Sequence, residues 1–304
     1  MRGRGVMTRP VTLVVNPAAR KGATLRMIDP VTDILRAHGW RVDVVVTRSA
    51  DHASQVAADA NVDDLLVTLG GDGLYGRVAA GAVVSGCLMA PLPAGRGHDL
   101  VRALGGPGDM RRAAQLLAVA RERRLDVGLA GDGDPSTATV FLGVATLGYD
   151  SMANTYANDA PRAVPSSLVY AYGGARTLVH ARPRPLTLVV DGVTHEFTGW
   201  NVAIGNSGRF GAGMRVNPDA SMSDGLLDVT VVTDIPRWHY PAMLPRLFRG
   251  THVDGVRVRA LRGREIRVIT PHVGDVYADG DLLEASPTTF RALPDALRVL
   301  VPAP

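Results

Sequence analysis

The chain has 304 residues, a 46% hydrophobic and 20% charged composition, only 5% aromatics and a formal net charge of +4. That length allows two domains with cores of their own, while so few aromatics argue against a base-stacking nucleic-acid surface. No apolar run approaches the roughly 18 residues that mark a spanning helix, so nothing is expected to cross a membrane.

The opening Met-Arg-Gly-Arg-Gly is basic but lacks a following apolar stretch. It is expected to be a frayed terminus and not a secretory signal. Residues 11–15 read as a buried strand, ended by Asn16-Pro17 and the loop to Gly22. A turn directly after a strand is either an ordinary βα connection or a ligand loop at the carboxyl end of a sheet. Leu25, Ile28, Val31, Ile34 and Leu35 recur at helical spacing, with Asp29 as cap before Pro30 and Gly39 as the stop. Residues 41–47 predict a second strand and residues 51–60 a short helix.

The apolar run at residues 65–69 then breaks into Gly70, Gly71, Asp72, Gly73 and, after Leu74 and Tyr75, Gly76. Glycines let a backbone turn sharply and bring its N–H groups up to a ligand, and a helix start adds to such an anion site. A carboxylate among phosphate-binding amides repels phosphate unless a cation bridges them or a proton is removed there. Asp72 therefore points to phosphoryl transfer with a divalent metal. Gly71, Gly73 and Gly76 also satisfy the dinucleotide pattern G-x-G-x-x-G, but at least two strands precede it and no acid stands about 20 residues on. A hydride-transfer reading is weak.

Helix is expected again from Val78, a strand at residues 88–92, and a second glycine-rich turn at residues 93–100 carrying Gly95, Arg96, His98 and Asp99. Residues 109–123 predict a basic helix. The alternation implies a parallel sheet with three polar loops at one edge. From about residue 125 the pattern changes to short strands at residues 186–190, 193–197, 200–205, 227–233, 264–270 and 273–278, with little helix beyond residues 166–180. That is a second, antiparallel β domain. Two acidic turns lie in it, one at residues 217–228 and one at Asp279-Gly280-Asp281. Each is either plain turn chemistry or a functional site. Lys21 is the sole lysine, so no Walker motif exists, and Cys87 alone excludes a disulfide framework and fits a reducing cytoplasm. The arginine excess reflects either coding bias or a basic face for anionic lipid or phosphate.

Taken together and in order, these motifs resemble the soluble bacterial diacylglycerol kinases, relatives of sphingosine and ceramide kinases and more distantly of NAD kinases. The motifs are Asn16-Pro17, Gly70-Gly71-Asp72-Gly73, Pro93-Ala94-Gly95 with Asp99, Leu147-Gly148-Tyr149-Asp150, Gly211-Ala212-Gly213-Met214, Asp224-Gly225-Leu226-Leu227-Asp228 and Asp279-Gly280-Asp281. The resemblance covers roughly residues 11–300. It implies an α/β nucleotide-binding domain over residues 1–124 and a β-sandwich over residues 125–304, whose last ~15 residues return to the first domain. An ATP site between them is implied too.

The resemblance further places nucleotide contacts on Asn16, Thr47, Gly70, Gly71, Asp72, Gly73, Gly76, Gly95, Arg96 and Asp99. It places a structural Mg²⁺ on the carbonyls of Ser221 and Leu226 and the Asp224 carboxylate, a suitable oxygen set. The proton acceptor falls on Asp281 or Asp279, with Asp281 standing where the family has a glutamate one methylene, about 1.5 Å, longer. Leu74, Gly76, Arg77, Arg96 and His98 replace the family's Thr, Asn, Glu, Thr and Asn, so hydroxyl and amide donors are lost and two arginines arrive. The implied activity is ATP-dependent phosphorylation of diacylglycerol or a similar amphiphilic alcohol in phospholipid biosynthesis. It would run in the cytoplasm, with peripheral contact to an anionic membrane surface and no nucleic acid; a homodimer stays open. The alternatives are a kinase of a soluble specialised metabolite or nucleotide, and a non-catalytic nucleotide or lipid binder.

Overall fold

The computed structural model describes residues 10–95, 97–132, 137–161, 164–165, 168–211, 213–271, 274–284 and 286–301. Two compact units result: Met1–Leu125 with Asp295–Pro304, and Asp126–Pro294.

The first unit runs β1 (Pro10–Val15), a 3₁₀ stretch Ala19–Met27, α1 (Ile28–Ala37), β2 (Arg41–Val46), α2 (Ala50–Ala58), β3 (Leu65–Gly70), α3 (Asp72–Ser85) and β4 (Leu88–Pro93). It closes with α4 (Asp99–Ala103), α5 (Met110–Leu116), a 3₁₀ turn Leu117–Val119 and the start of β5 (Arg121–Ala130). Strands β4, β3, β1 and β2 lie side by side and parallel, with Gly70 opposite Pro93 and Val15 opposite both Leu69 and Val46. All six residues of β3 and of β4 are buried, so these strands read as unbroken apolar runs.

Three expectations for this unit need correcting. Helix α3 starts at Asp72 and not at Val78, because Leu74 and Tyr75 are buried and their N–H groups bond the Gly71 carbonyl. Burial there outweighs the low propensity of Gly73 and Gly76. Asp29 does not cap α1, since the 3₁₀ stretch feeds directly into it through Met27. The basic helix ends at Leu116: Ala120 adopts an extended backbone (ψ 152°), and the exposed Arg121-Glu122-Arg123-Arg124 run opens a strand whose next six residues are buried.

The second unit continues β5 into β6 (Thr139–Phe141), β7 (Val144–Gly148), α6 (Tyr149–Asn158), α7 (Val169–His180), β8 (Arg184–Val190), β9 (Val193–Gly205), β10 (Arg209–Phe210), β11 (Met214–Arg215) and β12 (Leu227–Thr233). Then come α8 (His239–Arg249), β13 (Val258–Gly263), β14 (Glu265–Ile269), β15 (Val276–Ala278), β16 (Asp281–Leu282) and β17 (Thr289–Val301). Antiparallel pairing runs β16–β15–β7–β9–β8–β14–β17, with β12 joining β9 to β13. Asp191 (φ 47°) and Gly192 (φ 85°) make the tight turn of the β8–β9 hairpin. Strand β9 runs unbroken to Gly205, so the two strands expected at residues 193–197 and 200–205 are one. Its core includes Phe141 edge-on to Phe290, 6.5 Å between centroids. Helices α6 and α8 are additions to the expected pattern. Gly148 (φ 97°) turns the chain from β7 into α6, and α8 buries only Tyr240 and Met243.

Candidate active site

In the first unit the carboxyl ends of β1 to β4 bring together most of the suspected nucleotide residues. The Asn16 side chain accepts from the Ala18 N–H (2.9 Å), folding its loop back after β1. Thr47, at the end of β2, is buried and its hydroxyl donates to the Val15 carbonyl (3.2 Å). The loops after β3 and β4 touch backbone to backbone. The Ala94 N–H donates to the Gly70 carbonyl (2.7 Å), and a Cβ on residue 95 would stand 2.5 Å from the Gly71 Cα. No side chain fits between them, which is the physical need for both glycines. Gly73, by contrast, has nothing within 4 Å of where its Cβ would be, so it faces open space. The N–H groups of Asp72 and Gly73 precede the first α3 bonds, which Leu74 and Tyr75 make to the Gly71 carbonyl, so this end of the helix is suited to an anion.

Asp72 is the first residue of α3. Its Oδ1 accepts from the Leu100 N–H (3.1 Å), tying it to the loop after β4, and its Oδ2 lies 2.8 Å from where a Cβ on residue 97 would be. Gly97 thus leaves room for the carboxylate. Asp99 is buried and pairs with Arg102 (3.3 Å), whose guanidinium also donates to the Gly97 carbonyl (2.8 Å). His98 sits at φ 41° with its Nδ1 buried and unpartnered. A left-handed backbone is visited most readily by glycine and, next, by asparagine or aspartate. Gly76 lies inside α3. Arg96 lies outside the described residues. One contributor escaped the sequence reading: the buried Tyr75 hydroxyl reaches the carbonyls of Gly70 (2.9 Å) and Leu92 (2.7 Å), clamping the ends of β3 and β4. Burial pushes this phenol well above its ordinary range, so it stays neutral.

In the second unit the two carboxylates of the Asp279-Gly280-Asp281 turn differ. The Asp279 carboxylate accepts from the N–H groups of Leu142 (2.7 Å), Gly143 (2.7 Å) and Val144 (3.2 Å) at a left-handed backbone position (φ 52°). Asp281 opens β16 and is exposed. The acidic loop before β12 is organised by Asp126, buried on β5, which accepts from the Gly225 N–H (2.7 Å). Asp224 Oδ1 accepts from the Leu226 N–H (3.1 Å), and its Oδ2 lies 3.8 Å from Arg262. Arg262 donates to Asp228 Oδ1 through Nε (3.0 Å) and Nη2 (2.9 Å), leaving Asp228 Oδ2 buried without a hydrogen-bond partner. Burial raises the Asp228 carboxyl against the pull of Arg262. Among the described residues no three His, Cys, Asp or Glu side chains cluster as metal ligands, so a cation here would rely on backbone carbonyls. Asp150, at the start of α6, exchanges hydrogen bonds with Asn201: its N–H donates to Asn201 Oδ1 (3.0 Å), and Asn201 Nδ2 donates to its carboxylate (2.6 Å). Burial pushes the Asp150 carboxyl up to about 6.

The diacylglycerol kinase catalytic domain model matches residues 10–130, and the YegS C-terminal NAD kinase beta sandwich-like domain model matches residues 143–301. A diacylglycerol kinase of Mycobacterium tuberculosis (strain ATCC 25618 / H37Rv) is 31% identical over 296 residues, covering 96% of this chain and 95% of its own. The chain belongs to the bacterial diacylglycerol kinase family. It is a lipid kinase, a phosphotransferase. A Pseudomonas putida protein named "Probable lipid kinase YegS-like" is 31% identical over 273 residues, 88% of each chain. A solved structure of a diacylglycerol kinase from Bacillus anthracis strain Sterne superposes with a TM-score of 0.72 at 19% identity, covering 97% of each chain, and shares the fold. No helix among the described residues of this lipid kinase is long and apolar enough to cross a membrane.

Proposed function

We propose that the enzyme transfers the γ-phosphoryl group of ATP to the hydroxyl of diacylglycerol or a similar amphiphilic alcohol, while attached peripherally to the cytoplasmic face of an anionic membrane. The observation that carries this reading is the Gly71–Gly95 backbone contact, with Asp72 as the first residue of the helix it precedes. The amides of residues 70–73 and 95 are suited to wrap phosphate oxygens, while Asn16, Thr47 and Asp99 hold the surrounding loops in place. Phosphoryl transfer passes through a loose transition state, so positioning and charge neutralisation outweigh base strength. Asp72 would anchor a metal–phosphate complex, either directly or through water. Asp281, exposed and standing where the resembled family carries its acceptor glutamate, is the residue assigned to accept the hydroxyl proton, and Asp279, whose oxygens accept from three amides, sets the turn that presents it.

The loop before β12 fits a hard dication. Its own donors are all oxygens and the partnerless buried Asp228 Oδ2 stands among the same carboxylates, while the Arg262 guanidinium, 3.8 Å from Asp224 Oδ2, would give way to the ion. Ser221 and Leu226 through their carbonyls and Asp224 through its carboxylate would hold Mg²⁺ there. Bound, that ion would neutralise the loop's acidic charge and stiffen it. Transfer of label from ATP to vesicle-borne diacylglycerol, absent in Asp281→Asn, tests the assignment; transfer only to water-soluble alcohols would favour a soluble-substrate kinase.

A further inference from the structure

Helix α8 turns its apolar residues in two directions. Tyr240 and Met243 are buried, whereas Trp238, Leu244 and Phe248 are 68%, 47% and 53% exposed, and Pro241 and Pro245 are exposed beside them. At 100° per residue, positions 238, 241, 244, 245 and 248 fall within an arc of about 120°, one continuous stripe. Monomeric proteins rarely leave such a stripe bare without a partner for it.

The charged residues that this segment of chain places beside the stripe are of one sign. Arg237, Arg246 and Arg249 flank it, and no acidic residue occurs between Asp234 and Asp254. The Arg237 guanidinium donates to the carbonyls of Val179 (3.2 Å) and Ala181 (3.4 Å), which joins the stripe to the end of α7, where Val179 is itself 62% exposed. Ala181 and Arg182 also line a cavity of about 210 Å³ with Leu147, Ser151 and Trp200. A tryptophan beside arginines on a short apolar helix is the chemistry of a bilayer interface, where the ring and the cations meet headgroups and the aliphatic stripe meets acyl chains. Eleven residues span about 16 Å, enough to lie in the interface and too few to cross it.

We infer that the exposed face of α8, with Trp238 and Val179 at its edge, is the surface by which the enzyme docks on an anionic lipid bilayer. The inference rests on the lipid-kinase reading of the chain for its occupant, but the surface can be tested separately. Cys87 is the chain's single cysteine and is buried, so Phe248→Cys can be labelled selectively with an environment-sensitive fluorophore, using labelled Val193→Cys on the β8–β9 hairpin as the control. Vesicles of equal parts phosphatidylglycerol and phosphatidylcholine should blue-shift the label at position 248 and not at position 193, with a smaller shift on phosphatidylcholine alone. The double variant Leu244→Glu/Phe248→Glu should bind the same vesicles at least about tenfold more weakly at an unchanged melting temperature. Its turnover of a short-chain, water-soluble diacylglycerol should equal wild type. Equal shifts at both sites, no shift at either, or undiminished binding by the double variant would overturn the surface. A shift at position 248 that follows protein concentration without vesicles would assign the face to a second copy and overturn it too. Failure to phosphorylate any acceptor would count against the kinase reading, while the label decides the surface independently.

Discussion

Adding one methyl group at residue 95 tests how tightly the two loops of the first unit hold each other. In Gly95→Ala the new Cβ would stand 2.5 Å from the Gly71 Cα, 3.2 Å from the Gly71 nitrogen and 3.5 Å from the Gly70 oxygen. Carbon atoms rest at about 3.5–4.0 Å, so the loops must separate by about 1 Å. The resisting atoms are backbone, and the loops are also joined by the 2.7 Å Ala94–Gly70 hydrogen bond and by the Tyr75 clamp. Overpacking of this kind costs about 1–3 kcal/mol of stability. A 1 Å displacement of the amides facing the phosphates should cost about 100-fold in kcat. Steady-state kinetics with ATP and vesicle-borne diacylglycerol, run beside thermal melts, reads both. Gly73→Ala is the control, because its Cβ meets nothing within 4 Å; it should fold with wild-type stability or better. A Gly95→Ala enzyme whose kcat and KM for ATP stay within about threefold of wild type would refute the claim that this contact shapes the phosphate site.

Asp72→Asn should lower kcat by at least about two orders of magnitude while the protein stays folded, because an amide oxygen can still accept from Leu100 but carries no charge; wild-type kcat would remove Asp72 from the mechanism. Asp224→Ala should melt lower and lose any rise in melting temperature with added Mg²⁺, and a Mg²⁺-independent melting temperature in both proteins would count against the loop metal. The Asp150 carboxyl, raised to about 6 in the fold, binds more protons folded than unfolded between about pH 4 and pH 6. It therefore costs stability as pH rises through that window, up to about 3 kcal/mol above it. Asp150→Asn should accordingly gain more in urea denaturation at pH 8 than at pH 4; an equal change at both would show that the carboxyl is not strained by burial.

How much of this was legible in the sequence depended on whether the cause was local. The strand at residues 65–69, the glycine turn after it and the Asp191-Gly192 hairpin were readable because each rests on neighbours in the chain. The start of α3 was not, since Leu74 and Tyr75 are drawn into helix by burial that glycine-rich local sequence gives no hint of. Tyr75 as a clamp depends on a carbonyl 17 residues away, and the reason Gly71 and Gly95 must both lack a side chain depends on a contact 24 residues apart. Asp279 and Asp281 look alike in sequence, and the three amides from residues 142–144 that bind Asp279 come from far along the chain. Helix α8 is not legible in the sequence because its two prolines and exposed apolar stripe do not resemble a packed helix.

Phosphoryl transfer from ATP to a membrane lipid alcohol is the proposed reaction. The most direct measurement incubates the purified protein with γ-labelled ATP, Mg²⁺ and anionic vesicles containing diacylglycerol, then separates the lipids. Label is expected in phosphatidic acid, dependent on both Mg²⁺ and diacylglycerol and absent in Asp72→Asn. Folded wild-type protein that binds ATP but labels no lipid from a panel of diacylglycerols, sphingoid bases and ceramides would contradict the proposed reaction.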